Sequence, residues 1–344
     1  MADETLALTS APAQSSDRRK PVRVPVWDRF VRLFHWSLAA TIVGATATGF
    51  FAAAPRIDIH IWVGAAALGL VVARVIWGFL GPTHARFSDF ATDRRTIFAH
   101  LSQIAAGKAE RHRGHNPLGG AMVLALLGLI VAVAVTGVVV LGGVFKSGPL
   151  AFATSFTTGW NVRVIHELFS VALVVLIALH VAGVVFESWR THENLARAMV
   201  DGRKEARPKD HASGMKGARP VTAIAIAGSL LAALGSLAWV SSARLPLGVP
   251  TAALDPTYAE ECGDCHNAYH PTLLPRASWS ALTAGLDDHF GENASLGPET
   301  TQRIASYLMA NAAEAFDTKP ANFFRQIDPL KSFTITATPF WTQT

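Results

Sequence analysis

Charge is what this sequence has least of. Asp, Glu, Lys and Arg make up 16% of its 344 residues, while 50% are hydrophobic. Soluble domains average about 25% charged residues, so the shortage argues against a soluble globular protein and for an integral membrane chain. Cysteine is scarcer still, with two in the whole chain. Two thiols without a second Cys pair are too few soft ligands for a structural zinc site. No Gly-rich phosphate loop and no internal repeat is evident. The first 20 residues are polar and contain no apolar core of the kind a cleavable signal peptide needs. The first membrane span must therefore direct insertion itself.

What the chain does have is long apolar runs. A bilayer core about 30 Å thick takes about 20 apolar residues per helix. Trp36–Ala54, Ile59–Leu80, Pro117–Gly143, Val164–Ser188 and Pro220–Val240 meet that length. Lys and Arg beside a span are retained on the cytoplasmic side. Arg18, Arg19, Lys20, Arg23, Arg29 and Arg32 precede span one, six more basic residues separate spans two and three, and eight precede span five. The intervening loops hold only Arg56 in one, and Lys146 and Arg163 in the other. The pattern predicts a cytoplasmic N-terminus and an exported segment after Arg244. The expected division is a cytoplasmic tail (1–24), a four-helix bundle (25–190), a cytoplasmic loop (191–219), a fifth membrane helix (220–243) and an external domain (244–344). Arg244–Thr344 has six Lys/Arg against eleven Asp/Glu, a net of −5 in a chain of net +5. The high pI of about 9.5 thus reflects cytoplasmic loops beside anionic lipid headgroups and excludes nucleic acid as the partner it implies.

Both cysteines fall in that exported segment, in ECGDCHN (Glu261–Asn267). Two thiols three residues apart with His directly behind them read as a covalent c-type haem site. Cys262 and Cys265 add to the haem vinyl groups, and His266 is placed to bind the iron from one face. A redox dithiol or a disulfide would leave His266 unexplained. For the opposite face the chain offers His270, His289 and Met309. His270 follows His266 too closely to reach round a porphyrin, and Met309 sits in an amphipathic helix pattern with Ile304 and Leu308. His289, in GLDDHFGENAS, is far enough along the chain to wrap round.

Four histidines lie at or in the spans, where ligating side chains are expensive and usually functional. His166 and His180 are fourteen residues apart, about 21 Å of helix rise and within about 40° of one face. Span one runs outward from His35, span two inward from His60, and span four inward from His166 to His180. Depth then pairs His35 with His180 on the inner side and His60 with His166 on the outer. Each pair can hold one b-type haem by two neutral imidazoles. Gly44, Gly49, Gly64, Gly69, Gly128 and Gly137 leave room for a macrocycle, or serve close helix packing. Arg74, the one charge deep in span two, either pairs with a propionate of the inner haem or snorkels to the cytoplasmic surface. Glu167 either handles protons at an outer site or faces the interface. His84, His100, His112, His115, His192 and His211 read as solvated loop residues.

The segments VWDRFVRLFHW, IHIWVG, ARVIWGFLGP and the His166/His180 pair resemble the bacterial cytochrome b561 family, in its hydrogenase-type cytochrome b branch. The resemblance covers Pro25 to about Arg190. It implies a four-helix bundle with two b haems exchanging electrons with quinone, and its ligands fall on His35, His60, His166 and His180. The segments CGDCHNAY, LLPRASW, GLDDHFGENASL and ITATPFW resemble the dihaem cytochrome c family, and that likeness also falls on His289. The family has a second Cys-pair haem site further on, which this sequence does not reach before Thr344.

The expected fold is an all-α membrane protein: a four-helix transmembrane haem b bundle, a fifth transmembrane helix, and a small, mostly helical extracytoplasmic cytochrome c domain. The expected cofactors are two haem b and one haem c, with a second haem c if the natural chain extends beyond Thr344. The implied role is a bacterial inner-membrane electron-transfer cytochrome linking the quinone pool to a periplasmic redox protein, with quinol:cytochrome c-type oxidoreductase activity as its enzymatic form. Two rivals are a superoxide:quinone oxidoreductase, with Lys146 and Arg163 attracting the anion, and a membrane-anchor cytochrome b subunit of a larger redox enzyme. The acidic exported segment predicts a partner with a basic surface. Electrostatic steering fades with salt, since the Debye length is about 8 Å at physiological ionic strength. Stopped-flow electron transfer to that partner should slow as salt rises; a rate that ignores ionic strength would refute the basic docking surface.

Overall fold

The structure, a computed structural model, describes residues 22–51, 57–91, 93–207, 216–328 and the positions 334, 335 and 338. Arg18, Arg19, Lys20, Arg56, Lys209, His211 and most of the ITATPFW segment lie outside the described residues. Within hydrocarbon every backbone N–H and C=O must be satisfied internally, so an apolar chain of this kind crosses as helix. Among the described residues, five helices have the length and hydropathy to cross: α1 (Arg29–Phe51), α2 (Ile57–Leu80), α4 (Pro117–Gly143), α5 (Phe156–Thr191) and α7 (Pro220–Ser242). Between them lies α3 (Arg94–Ala105), between α5 and α7 lies α6 (Leu195–Asp201), and strands β1 (Arg23–Pro25) and β2 (Arg203–Glu205) pair antiparallel.

The helix starts are written locally. Asn116 accepts from the Gly119 N–H at 2.7 Å with Pro117 in the first turn, and Ser155 accepts from the Thr158 N–H at 3.2 Å. Both arrangements satisfy N–H groups that have no partner within their own helix. Helices α1 and α5 begin about two turns before the apolar runs expected for them, because RFVRLFH and FTTGWNVR are helical but amphipathic. At 36 residues, α5 is about 54 Å long, more than a bilayer core is thick.

Backbone packing is concentrated between α1 and α2 and between α4 and α5, with α2 also meeting α4 and α7. Helix α5, by contrast, has no substantial backbone contact with α1 or α2. The four helices therefore form two hairpins with a slot between α5 and the α1–α2 pair. Val71, Leu127, Ile130 and Leu173 close the middle of the bundle, with Phe34, Leu38 and Ile177 packed on them. Val43, Phe79, Leu168, Val185 and Leu237 are exposed, as residues facing lipid are.

At the end of the bundle that bears β1, basic residues are held by acids of the same chain. Arg23 pairs with Asp201 at 2.7 Å, Arg190 with Glu187 at 2.7 Å, and Arg111 with Glu193 at 2.5 Å. Part of the positive charge expected beside lipid headgroups is thus spent on stitching loops together. The solvated-loop expectation also fails for His100, which is 3% exposed. It lies on the inward face of amphipathic α3, its ring 5.5 Å from that of His112.

After α7 the chain forms a second helical unit from α8 (Pro256–Glu261), α9 (Arg276–Ala284), α10 (Pro298–Ala310) and α11 (Lys319–Phe324). Tyr258, Leu274, Trp279, Ile304, Leu308 and Phe324 form its core. Ile304 and Leu308 pack there as expected, whereas Met309 is half-buried and outside that cluster. The unit docks on the opposite end of the bundle from β1. Asp317 accepts from the Lys146 ammonium at 2.8 Å and from the Phe156 N–H, at the start of α5, at 2.7 Å. Its own N–H donates to Gly248 O at 2.8 Å, and the Phe323 ring packs on Phe156 and Trp160.

Burial alone would raise the Asp317 carboxyl, but hydrogen bonds from Lys146, the Phe156 N–H and Asn322 overcome it and hold the group below the ordinary carboxylate value. A depressed pKa stabilises the docked form at neutral pH, and that contribution is lost as pH falls through the folded-state pKa. Asp317→Asn should weaken docking by about 1–3 kcal/mol. Hydrogen exchange should then quicken at the Asp317 and Phe156 amides at neutral pH; unchanged protection would show that the ion pair does not hold the interface.

Candidate functional site

The three histidine pairs expected from the sequence converge. The rings of His35 on α1 and His180 on α5 lie 6.5 Å apart, centroid to centroid, and those of His60 on α2 and His166 on α5 lie 6.3 Å apart. In the second unit, His266 and His289 lie 6.2 Å apart with their planes 23° from parallel. Two imidazoles sharing one metal at about 2.0–2.1 Å, each centroid about 1.1–1.2 Å further back, would be separated by about 6.3 Å. All three pairs match that span. Among the described residues no cluster of three or more His, Cys, Asp or Glu could hold an ion by itself. Two-ligand sites of this kind suit a metal whose remaining positions are filled by a macrocycle.

The residues round the membrane pairs fit such a group. Both pairs face across the slot between α5 and the α1–α2 hairpin. A Cβ at Gly64, one turn beyond His60 on the same face of α2, would meet nothing within 4 Å, so helix packing does not account for that glycine. A Cβ at Gly49 would come within 3.0 Å of the His60 ring, and one at Gly137 within 3.1 Å of the His166 ring. Each outer ring thus rests on a glycine of the neighbouring helix. The His60 Nδ1 lies 3.0 Å from Ala45 O and 3.2 Å from Thr48 Oγ1; the His166 Nδ1 lies 3.0 Å from Val133 O and 3.1 Å from Thr136 Oγ1. The inner pair lacks this arrangement on at least one side, since His35 Nδ1 is buried without a hydrogen-bond partner.

Arg74 is 2% exposed, so it does not snorkel to water. Its guanidinium lies over the Phe87 ring at 5.3 Å, and its Nη1 is buried without a hydrogen-bond partner. A buried cation with an open donor calls for an anion. His115, another residue expected to be solvated, packs against Trp27 and Phe90, each at 4.7 Å between centroids. Burial, reinforced by Arg74 and Lys204, pushes its imidazole down to about 3, so it is neutral. It borders a cavity of about 430 Å³ that His84, His112 and Arg113 also line. No feature of the sequence separated His115 from the other loop histidines, because its burial comes from rings distant in the chain.

In the second unit, Cys262 lies at the end of α8 with Cys265 and His266 in the exposed turn beyond. The cysteines are unbridged thiols. Burial, with help from Glu261, pushes the Cys262 thiol up. His266 Nδ1 is 2.9 Å from Asn267 O; a carbonyl only accepts, so Nδ1 holds the proton and Nε2 keeps its lone pair. His289 heads a tight turn closed by its N–H to Glu292 O at 2.7 Å. The turn has Phe290 at φ 55° and Gly291 at φ 91°. Left-handed backbone at a phenylalanine costs about 1–2 kcal/mol, and such strain is characteristic of functional positions. His270 instead caps the turn at Pro271–Leu273, accepting from the Thr272 N–H at 3.3 Å.

The outer-loop cations that a superoxide reaction would need are engaged. Lys146 is bonded to Asp317 and Thr154 O. Arg163 pairs with Glu167 and lies over Trp160 at 4.5 Å, which also occupies the carboxylate considered for outer proton handling.

Helix hairpins that face imidazoles across an apolar slot are the architecture of membrane cytochromes. Residues 26–202 match the family of prokaryotic cytochrome b561, and residues 258–344 match dihaem cytochrome c. The chain belongs to the prokaryotic cytochrome b561 family and continues into a domain of the dihaem cytochrome c family. It is therefore a multi-pass membrane electron-transfer cytochrome, and its cofactors are haems. Two structures of diheme cytochrome c from Rhodobacter sphaeroides are each 38% identical over 27% of this chain, covering 71% and 74% of theirs with TM-scores of 0.21 and 0.25. One from Shewanella baltica OS155 is 36% identical over 27% of this chain and 61% of its own, with a TM-score of 0.20. No curated protein matches.

His289→Ala should abolish the six-coordinate low-spin signature of the c haem in low-temperature spectra, and Met309→Ala should leave it intact. The reverse result would move the axial ligand to Met309.

Proposed function

We propose that the protein passes electrons between the membrane quinone pool and an external redox protein, through an inner b haem on His35 and His180, an outer b haem on His60 and His166, and a c haem bound to Cys262 and Cys265. His266 and His289 would hold the iron of that c haem. The observation that supports this most directly is the common separation of 6.2–6.5 Å in all three pairs. When bound, the haems would supply one-electron chemistry, and an imidazole from each side would leave no place for oxygen at the iron, which favours electron transfer.

The chain's own residues set the conditions for that transfer. The spans hold two imidazole pairs about 21 Å apart along α5, one towards each surface. Arg74, and beside it neutral His115, offers the inner propionates a buried cation and an open hydrogen-bonding group. Asp317 ties the c domain to Lys146 and to the start of α5, on the helix that bears His166. A cavity of about 550 Å³ between the outer ends of α2, α4 and α7 has Trp62 and Leu141 as apolar wall and Asp58 and Ser147 as polar groups. That volume and mixed lining suit a quinone headgroup, and its α2 wall begins two residues from His60. With a cytoplasmic N-terminus, the five crossings put the c domain in the periplasm.

A pyridine haemochrome assay of the purified chain should give b to c near two to one, and quinol should reduce the b haems in stopped flow faster than superoxide does. A ratio near one to one, or reduction by superoxide alone, would overturn the proposal.

A further inference from the structure

We infer that the outer histidine pair is set by a duplicated cradle, in which Thr48 and Thr136 are positioning residues that fix the tautomer of His60 and His166 and lower the potential of the outer b haem. The inference rests on the reading that these two histidines hold that haem.

The cradle is a repeat at the level of five residues. Ala45 to Gly49 reads ATATG, and Val133 to Gly137 reads VAVTG. In each, the first residue offers its carbonyl, the Thr three positions on offers its hydroxyl, and the Gly after it offers a bare surface. Positions i, i+3 and i+4 share one helix face, so all three groups meet the same imidazole. Hairpin α1–α2 and hairpin α4–α5 thus each grip one outer histidine in the same way.

The hydrogen bookkeeping leaves one solution. Thr48 Oγ1 donates its proton to its own helix, at Gly44 O (2.8 Å), and Thr136 Oγ1 does the same at Ala132 O (2.8 Å). Each hydroxyl therefore turns a lone pair to the imidazole. The Ala45 and Val133 carbonyls can only accept. Both Nδ1 atoms must then hold the proton, shared between two acceptors, and both Nε2 atoms keep the lone pair a metal needs. Acceptors on the far nitrogen make the imidazole a stronger donor, which favours the oxidised iron. His35 Nδ1, buried without a partner, has no such support, so the two levels of the bundle are electronically unequal.

The test uses the full-length chain in detergent, with potentiometric titration of the b bands and low-temperature EPR. The wave lost in His60→Ala identifies the outer haem. Thr48→Val and Thr136→Val keep the side-chain shape and remove one acceptor each. Each should shift the outer wave upward, so that the ferric-to-ferrous ratio at a fixed potential falls several-fold, and the double variant should shift it further. Hydrogen-bond partners of metal-bound histidines are typically worth about ten- to a hundredfold in metal affinity or activity. The inner and c waves should stay in place. Thr48→Ser and Thr136→Ser, which keep the hydroxyl, should restore the outer wave. Gly49→Ala and Gly137→Ala should lower the b content from two haems towards one. Silent Val variants, or equal shifts of both b waves, would overturn the cradle while leaving the two-haem reading intact. Absence of b haem from the unaltered protein would overturn both.

Discussion

An imidazole inside a membrane helix has no water to satisfy it, and the rest of this structure is arranged around that difficulty. Four histidines face one another across the slot between α5 and the α1–α2 hairpin, in pairs whose separation suits a shared metal. The slot exists because α5 stands off those helices, while backbone packing is concentrated between α1 and α2 and between α4 and α5. A bundle packed evenly all round would bury more surface against itself but leave no room beside His60 at Gly64. Close packing is therefore traded locally for cofactor space, and the bound groups would return the contacts that the slot forgoes.

The two ends of the bundle use charge differently. At the β1 end, Arg23 and Arg111 are paired with acids of neighbouring segments and Arg190 with Glu187 of its own helix, while β1 and β2 pair with each other. Arg74 is left with an open donor, where a resident anion would complete it. At the other end Lys146 has its acid in Asp317, a residue of the second domain. One end thus keeps a buried cation for a ligand, and the other consumes its cation in joining two domains. The same pairing removes the charge that a small anionic substrate would have met on the outer loop.

Some of this was legible in the sequence because the signal is local or periodic. Hydrophobic run length marks a membrane helix wherever it occurs, so the Pro117–Gly143 span coincides with its helix and the other four are displaced only at their ends. Helix rise is uniform, so counting residues to His35, His60, His166 and His180 placed them at two depths, and the structure brings the same partners together. The Cys262–Cys265–His266 run is contiguous and reads as chemistry without any fold. Depth along a helix follows from sequence position alone.

Direction around a helix, and contact between segments distant in the chain, do not. That Ala45 O and Thr48 turn towards His60, and Val133 O and Thr136 towards His166, depends on how each hairpin is rotated, which is settled by packing. Arg74 offered two readings in the sequence, and only the position of Phe87 and the closure of the loops above it exclude the path to water. His100 and His115 looked like loop residues because their burial comes from α3 and from Trp27 and Phe90, not from their neighbours in the chain. Asp317 was one acid among eleven until the fold set it against Lys146. Which side chains can ligate, and at what depth, follows from residue order because helix geometry is local; which groups face them follows from the packed fold, because that depends on the rotation and contact of whole helices.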